Sequence, residues 1–176
     1  PFLLALRYFI YPFTFFLLAY KMDKKVSLPL PKVFADWQVG DNYEIVKQIG
    51  AGSYGMVCEA KNKATGETVA IKKVNRIFDD VIDSKRILRE ISLLRYLKHP
   101  NIVGVIEIIE PKNLDTFDCL YLVMEYAQSD IKKMVKSEIF LDHIHIKTLL
   151  YNTLCGLKYI HSMDILHRDL KPANIL

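Results

Sequence analysis

The sequence predicts an α+β fold: a five-stranded antiparallel sheet with one helix between its third and fourth strands, followed by the first helices of an incomplete helical region. Three observations predict it. Short runs of period two, separated by turn residues, recur from Tyr43 to Lys72 and again from Ile102 to Met124. A helical pattern lies between the two groups, and a longer one runs to His161 after the last strand.

In chain order, Tyr43-Glu-Ile45-Val46-Lys-Gln-Ile49 reads as the first strand and Met56-Val57-Cys58-Glu59-Ala60 as the second. The turn cluster Asn62 to Gly66 leads to a third at Thr68-Val69-Ala70-Ile71-Lys72, so the three form an antiparallel meander. Ser84–Lys98 places Ile87, Ile91 and Leu94 on one helical stripe, with Ser84 as the expected cap and His99-Pro100 as the stop. Ile102 to Ile109 and Cys119 to Met124 complete the sheet. In the long helix, Ile146, Leu149, Leu150, Thr153, Leu154, Leu157 and Ile160 recur at three- and four-residue steps and read as one buried face.

Length and composition narrow the class. The 176 residues suit one compact unit or part of one, at roughly 150 residues per domain. Twenty-four Lys and Arg against 20 Asp and Glu leave a net charge of +4 with no long basic block, so no nucleic-acid partner is expected. Cys58, Cys119 and Cys155 are odd in number and form no C-x-x-C pair, which argues against a disulfide framework or zinc knuckle and fits a reducing compartment.

Residues 1–21 stand apart as an apolar leader. Pro1 to Tyr20 approaches the ~20 residues that span a bilayer, yet it contains Arg7 and Pro12. A membrane anchor, a targeting remnant and upstream sequence foreign to the mature protein all compete. The last is favoured, because Pro12 would kink a spanning helix and no small-residue cleavage site precedes Met22. A membrane partner is expected only if the leader is genuine. Residues 22–42, with Pro29, Pro31 and Gly40, read as an extended lead-in.

Gly50-x-Gly52-x-x-Gly55 alone also fits a dinucleotide fold, which needs a helix immediately afterwards. Here Val57 and the turn at Asn62 continue a hairpin, giving G-x-G-x-x-G-x-V, a loop whose backbone can close over phosphates without Cβ atoms in the way. Val69-Ala70-Ile71-Lys72 then supplies a lysine on a rigid strand, with Lys73 facing the other way. Glu90 projects beside the helical stripe. Past the long helix, His167-Arg168-Asp169-Leu170-Lys171-Pro172-Ala173-Asn174 matches H-R-D-x-x-x-x-N.

In this order the motifs resemble those of protein kinases from Trp37 to Leu176, and among them the chain looks like a mitogen-activated protein kinase. That closer likeness rests on Trp37-Gln-Val39-Gly40-Asp-Asn-Tyr43, Tyr54-Gly-Met-Val-Cys58, Leu88-Arg-Glu-Ile91 and Pro111-Lys-Asn-Leu114-Asp-Thr-Phe117. Ser129-Asp130-Ile131 and Gly156-Leu-Lys-Tyr-Ile-His161 add to it. Cyclin-dependent kinases are the runner-up, since their helix differs from Asp83-Ser-Lys-Arg-Ile-Leu88. The resemblance implies an ATP-binding lobe over residues 43–126 and the start of a helical lobe over 127–176.

It also implies roles. Ile49, Gly50, Ala51, Gly52, Ser53, Gly55 and Val57 would cover ATP, Ala70 would pack on adenine, and Lys72, held by Glu90, would bind phosphates. Met124 would be the gatekeeper, Glu125 and Ala127 the adenine-binding hinge, and Asp130 a ribose neighbour. Asp169 would be the catalytic base or hydroxyl-orienting group, Lys171 a γ-phosphate partner and Asn174 a Mg2+ ligand. Lys171 follows the serine/threonine pattern. Arg86, Arg89 and Arg168 would grip phosphorylated activation-loop residues. ATP, protein substrates and an upstream activating kinase are the implied partners, in the cytoplasm or nucleus.

The 176 residues contain no D-F-G, activation loop or A-P-E, so the expectation for this stretch alone is an inactive fragment. The competing reading is a non-catalytic module that binds ATP or kinase partners.

Overall fold

The structure, a computed structural model, describes residues 34–52, 55–137 and 139–176. The leader and Ser53 therefore lie outside the described residues. The chain forms two compact units. One comprises the described residues up to Ile91 together with Val105–Tyr126; the other comprises Ser92–Gly104 and Ala127–Leu176.

In the first unit, β1 (Tyr43–Gly52), β2 (Gly55–Asn62), β3 (Thr68–Val74), β4 (Val105–Ile109) and β5 (Leu120–Glu125) make one sheet in the order β1-β2-β3-β5-β4. All neighbours are antiparallel, as expected. The last strand in sequence sits inside the sheet because β5 buries four consecutive residues, whereas β4 is short and largely open to solvent, as suits an edge. The fourth strand begins at Val105 rather than Ile102. Ile102 and Val103 are buried without joining the ladder, and the Ile102 amide donates to the His99 carbonyl in a turn.

Alternation along the strands divides the sheet into two faces. Cys58, Ala60, Val69, Ile71, Tyr121 and Val123 bury one face against Phe34, Trp37, Val39 and Tyr43. Burial there pushes the Cys58 thiol up to about 12, so it stays neutral and unreactive. Lys73 turns to this face, as its place in the strand predicts. Its ammonium lies 5.9 Å from the Trp37 ring centroid and 5.6 Å from that of Tyr121, with Asp36 Oδ2 at 3.8 Å. On the opposite face, Val57, Lys72 and Leu122 form one cross-strand row and Glu59, Ala70 and Met124 the next.

The helix α1 (Val81–Tyr96) starts three residues before Ser84 and stops short of Lys98. Its cap is Asp80, whose Oδ1 accepts from the amides of Ile82 at 2.7 Å and Asp83 at 3.0 Å. Ser84 instead lies inside the first turns, where its hydroxyl donates to the carbonyls of Ile77 and Asp80. Both Asp80 and Ser84 are capping residue types. The earlier one prevails because Val81 and Ile82, though exposed, continue the helix in front of the apolar stripe. Ile87, Ile91 and Leu94 are buried as the periodicity requires.

The second unit contains α2 (Ile131–Lys136) and α3 (His143–Ser162). Asp142 caps α3, accepting from the His143 amide, while the Asp142 amide donates to His145 Nδ1. The stripe expected to be core is buried only at its end. Ile160 is enclosed and Leu149, Thr153 and Leu157 are half-buried, whereas Ile146, Leu150 and Leu154 are exposed. The covering contacts in this unit gather near the C-terminus of α3, where the His99 ring stacks on Tyr159 at 4.9 Å and the Tyr159 hydroxyl accepts from the Lys98 amide at 3.1 Å. Periodicity identified the apolar face but could not show how far along it the neighbours reach.

Gly156 makes that contact close. A Cβ there would stand 2.9 Å from the Asn101 carbonyl oxygen, which is backbone and cannot swing aside. In a free helix Gly→Ala stabilises by about 1 kcal/mol. Here the sign should reverse: Gly156→Ala is expected to lower stability by about 1–3 kcal/mol, the usual cost of overpacking, measured by urea unfolding. A gain in stability would show that the loop yields to α3.

Candidate active site

β2 and β3 set Val57, two residues past the third glycine of the motif, directly opposite Lys72. Gly55 has φ 153°, and a Cβ on it would run into the Lys73 carbonyl, so the third glycine is required by the approach of β2 to β3. Gly50 differs. Its φ is not positive, and a Cβ would make only ordinary contact with Val57, at 3.8 Å. Packing within the described chain therefore does not demand glycine at position 50, as fits a surface kept bare for a ligand. Ile49 is half-buried, Ala51 is exposed and Gly52 ends β1.

Ala70 and Met124 are both buried and directly opposite each other across β3 and β5. Glu125 closes β5 with its side chain in solvent. Lys72 Nζ donates to Glu90 Oε1 at 2.6 Å, joining β3 to α1. Their side chains are only 20% and 26% exposed, so solvent screens this pair less than a surface bridge.

In the second unit Ala127 is half-buried, and Asp130 caps α2. Asp130 Oδ1 accepts from the Lys133 amide at 2.8 Å and Oδ2 faces Lys133 Nζ at 3.3 Å, a structural task the sequence reading did not assign to it.

The segment after α3 begins with a sharp stop. Asp164 adopts φ 57°, the Asp164 amide donates to the His161 carbonyl, and the Ile165 amide donates to the Ile160 carbonyl. These are the two bonds of a Schellman cap, closed by the apolar pair Ile160 and Ile165, both buried. The chain then turns back through Arg168, which takes φ 64°. That left-handed step lets the Asp169 amide donate to His167 Nδ1 at 3.1 Å. A carboxylate cluster results. Lys171 Nζ donates to both Asp169 oxygens, at 3.0 and 2.7 Å, and Asn174 Nδ2 donates to the Asp169 carbonyl and Oδ2, each at 2.8 Å. The short 3-10 turn Pro172–Asn174 keeps Asn174 buried, and the Ile131 amide ties the segment to α2 through the Ile175 carbonyl.

Hydrogen bonding from Lys171, with help from Asn174, holds the Asp169 carboxyl below the usual carboxylate range against the opposing effect of burial. His167 is 2% exposed, and burial pushes its imidazole down to about 4 although the Asp169 charge pulls the other way. The motif by itself assigns His167 no task. A histidine two residues before a carboxylate, after an apolar Ile-Leu pair, was the available signal.

Of the three arginines assigned to phosphate, Arg86 forms an ion pair with Asp83 at 2.9 Å, Arg89 is half-buried on α1 and Arg168 is exposed. Arg86 would have to exchange that partner to grip a phosphate.

Among the described residues no group of three or more His, Cys, Asp or Glu converges as a metal cage. This still fits Mg2+, which takes one or two protein oxygens and otherwise keeps water and phosphate. Asn174 has the chemistry for such a ligand, because its amide nitrogen is turned to Asp169 and its oxygen is the remaining donor. Lys72 and the bare Gly50 fit a polyphosphate in the same way. Among the described residues no helix is long and apolar enough to cross a membrane.

A model of the protein kinase domain matches residues 43–176. The chain is similar to mitogen-activated protein kinase 15 of Oryza sativa subsp. japonica, 48% identical over 143 residues, covering 81% of the chain and 29% of the relative. Extracellular signal-regulated kinase 1 of Dictyostelium discoideum is 45% identical over 142 residues, covering 81% and 27%. Mitogen-activated protein kinase 4 of Arabidopsis thaliana is 47% identical over 131 residues, covering 74% and 35%. The chain thus spans only 27–35% of the length of these curated relatives.

The lowered His167 pKa has a definite sign. Between about 6.5 and about 4 the unfolded chain takes up a proton that the folded one refuses, so this contribution to stability is lost as pH falls through that window. The expected NMR titration shows an unprotonated His167 at pH 6, protonating only near pH 4 or together with unfolding. A midpoint near 6.5 in the folded protein would mean that the ring is open to water.

Proposed function

The chain belongs to the protein kinase family, and from that premise we propose that the protein carrying it is a serine/threonine kinase of the mitogen-activated class. It transfers the γ-phosphoryl group of ATP to protein hydroxyls in a signalling cascade. The single observation that carries this reading is the 2.6 Å contact of Lys72 with Glu90, on the sheet face that also presents Val57 and Ala70. A lysine pinned by a carboxylate is placed as a fixed point charge for phosphate oxygens, and positioning with charge stabilisation is most of what phosphoryl transfer needs.

The other residues take tasks that suit their surroundings. Ile49, Gly50, Ala51, Gly52, Gly55 and Val57 cover the nucleotide, Ala70 and Met124 shape the adenine surface, and the backbone of Glu125 and Ala127 supplies its polar edge, with Asp130 as the ribose neighbour. Asp169 stays ionised at neutral pH and its depressed pKa makes it a weak proton acceptor, so it acts by accepting a hydrogen bond from the substrate hydroxyl and aiming it. Lys171 holds Asp169 in place and supplies positive charge for the transferred phosphate. Asn174 presents its oxygen to Mg2+, which supplies charge neutralisation at the phosphates when bound. Arg86, Arg89 and Arg168 read the phosphorylation state of an activation loop. The partners are ATP, protein substrates and an upstream activating kinase, and the setting is cytoplasmic or nuclear.

The test compares adjacent lysines in a longer polypeptide that includes D-F-G. Lys72→Met is expected to reduce kcat/KM by at least about 100-fold, the scale of removing a preorganised charge. Lys73→Met should leave transfer per folded molecule within about twofold but lower the melting temperature, because it empties the cage of Trp37 and Tyr121. Equal losses of activity from both would refute the assignment of Lys72.

A further inference from the structure

The hydroxyl of Tyr126, immediately after β5, donates to Glu59 Oε2 at 2.7 Å, although the two residues lie 67 positions apart. Glu59 also faces Lys47 Nζ at 3.3 Å, and its side chain is only 15% exposed. A carboxylate so shielded is retained only with partners, since removing one leaves charge poorly compensated. Tyr126 is the shielded partner; Lys47 is 62% exposed.

The strand register shows what this bond spans. Glu59 on β2 is opposite Ala70 on β3, and Ala70 is opposite Met124 on β5. From β5 to β2 is two strand spacings, about 9.6 Å. Tyr126, two residues beyond Met124, therefore reaches over the end of β3 to a strand that β5 does not adjoin. Its hydroxyl ends on Glu59, which shares a cross-strand row with Ala70 and Met124, the residues assigned above to adenine. Burial and then the Glu59 carboxylate raise the Tyr126 pKa, so the hydroxyl keeps the proton it donates.

We propose that Tyr126, through its hydrogen bond to Glu59, is a positioning residue that holds the backbone after β5 in the orientation that receives adenine. The inference rests on the kinase reading. The bond acts on nucleotide affinity and leaves the chemical step alone, because neither side chain approaches Lys72 or its carboxylate partner within hydrogen-bonding distance. Gln at 59 preserves an acceptor for the hydroxyl, whereas Leu removes it, and Lys47 is dispensable because its contact is solvent-screened.

The experiment uses the longer active polypeptide and measures kcat and the KM for ATP, with calorimetric binding of ADP as a second readout. Tyr126→Phe is expected to raise the ATP KM and the ADP Kd about five- to tenfold, the scale of losing one hydrogen bond, with kcat changed less than about twofold. Glu59→Leu should match it, Glu59→Gln should restore near-parental affinity, and the Tyr126→Phe, Glu59→Leu double variant should be no worse than either alone. Lys47→Met should leave affinity within about twofold. Unchanged ADP affinity in Tyr126→Phe, additive losses in the double variant, or loss of kcat with KM intact would overturn the inference while leaving the kinase reading intact. A parental protein that binds no adenine nucleotide would overturn both.

Discussion

Lys72 and Lys73 are chemically alike and adjacent, yet the pleat of β3 sends them to opposite faces of the sheet, and most of the first unit follows from that separation. Lys72 emerges beside Val57 and Leu122 and meets Glu90 from α1. Lys73 enters an aromatic enclosure of Trp37 and Tyr121 that anchors the segment before β1. A slip of one residue would bury Lys72 among aromatic rings and expose Ile71. Because Ile71, Val69, Cys58 and Val123 are fully or almost fully buried on one side, such a slip carries a large hydrophobic penalty. The core thus enforces the register on which the charged face depends.

The second unit uses a different constraint, local backbone geometry in place of sheet register. Two consecutive departures into left-handed φ, at Asp164 and Arg168, end α3 and fold the chain back. Neither residue is glycine, so each position carries conformational strain, offset by the bonds it allows. At Asp164 those bonds are the two that close the helix; at Arg168 the bond is that from the Asp169 amide to buried His167. The carboxylate is then fixed by Lys171 and Asn174, so that its charge and direction are set before any substrate arrives.

Glycine occurs at both ends of the loop motif for different reasons. Gly55 is demanded by its positive φ and by the nearby Lys73 carbonyl, whereas among the described residues Gly50 has room for a side chain. A motif written as three equivalent glycines conceals this difference. It appears only when the opposing strand is in place.

The sequence by itself determined the strands, the meander, the opposite facing of Lys72 and Lys73 and the close spacing of Asp169 and Asn174, because these depend on period, turn chemistry and short spacing. Alternation of two and steps of three and four residues are local properties, and local properties are written along the chain. Tertiary structure alone decided the placement of β5 inside the sheet, the partial exposure of Ile146, Leu150 and Leu154, and the bond from Tyr126 to Glu59. Each of these depends on which distant surface arrives at a given face. Periodicity marks a face as apolar or polar, but burial and pairing are relations between segments, and only the folded chain supplies the second partner.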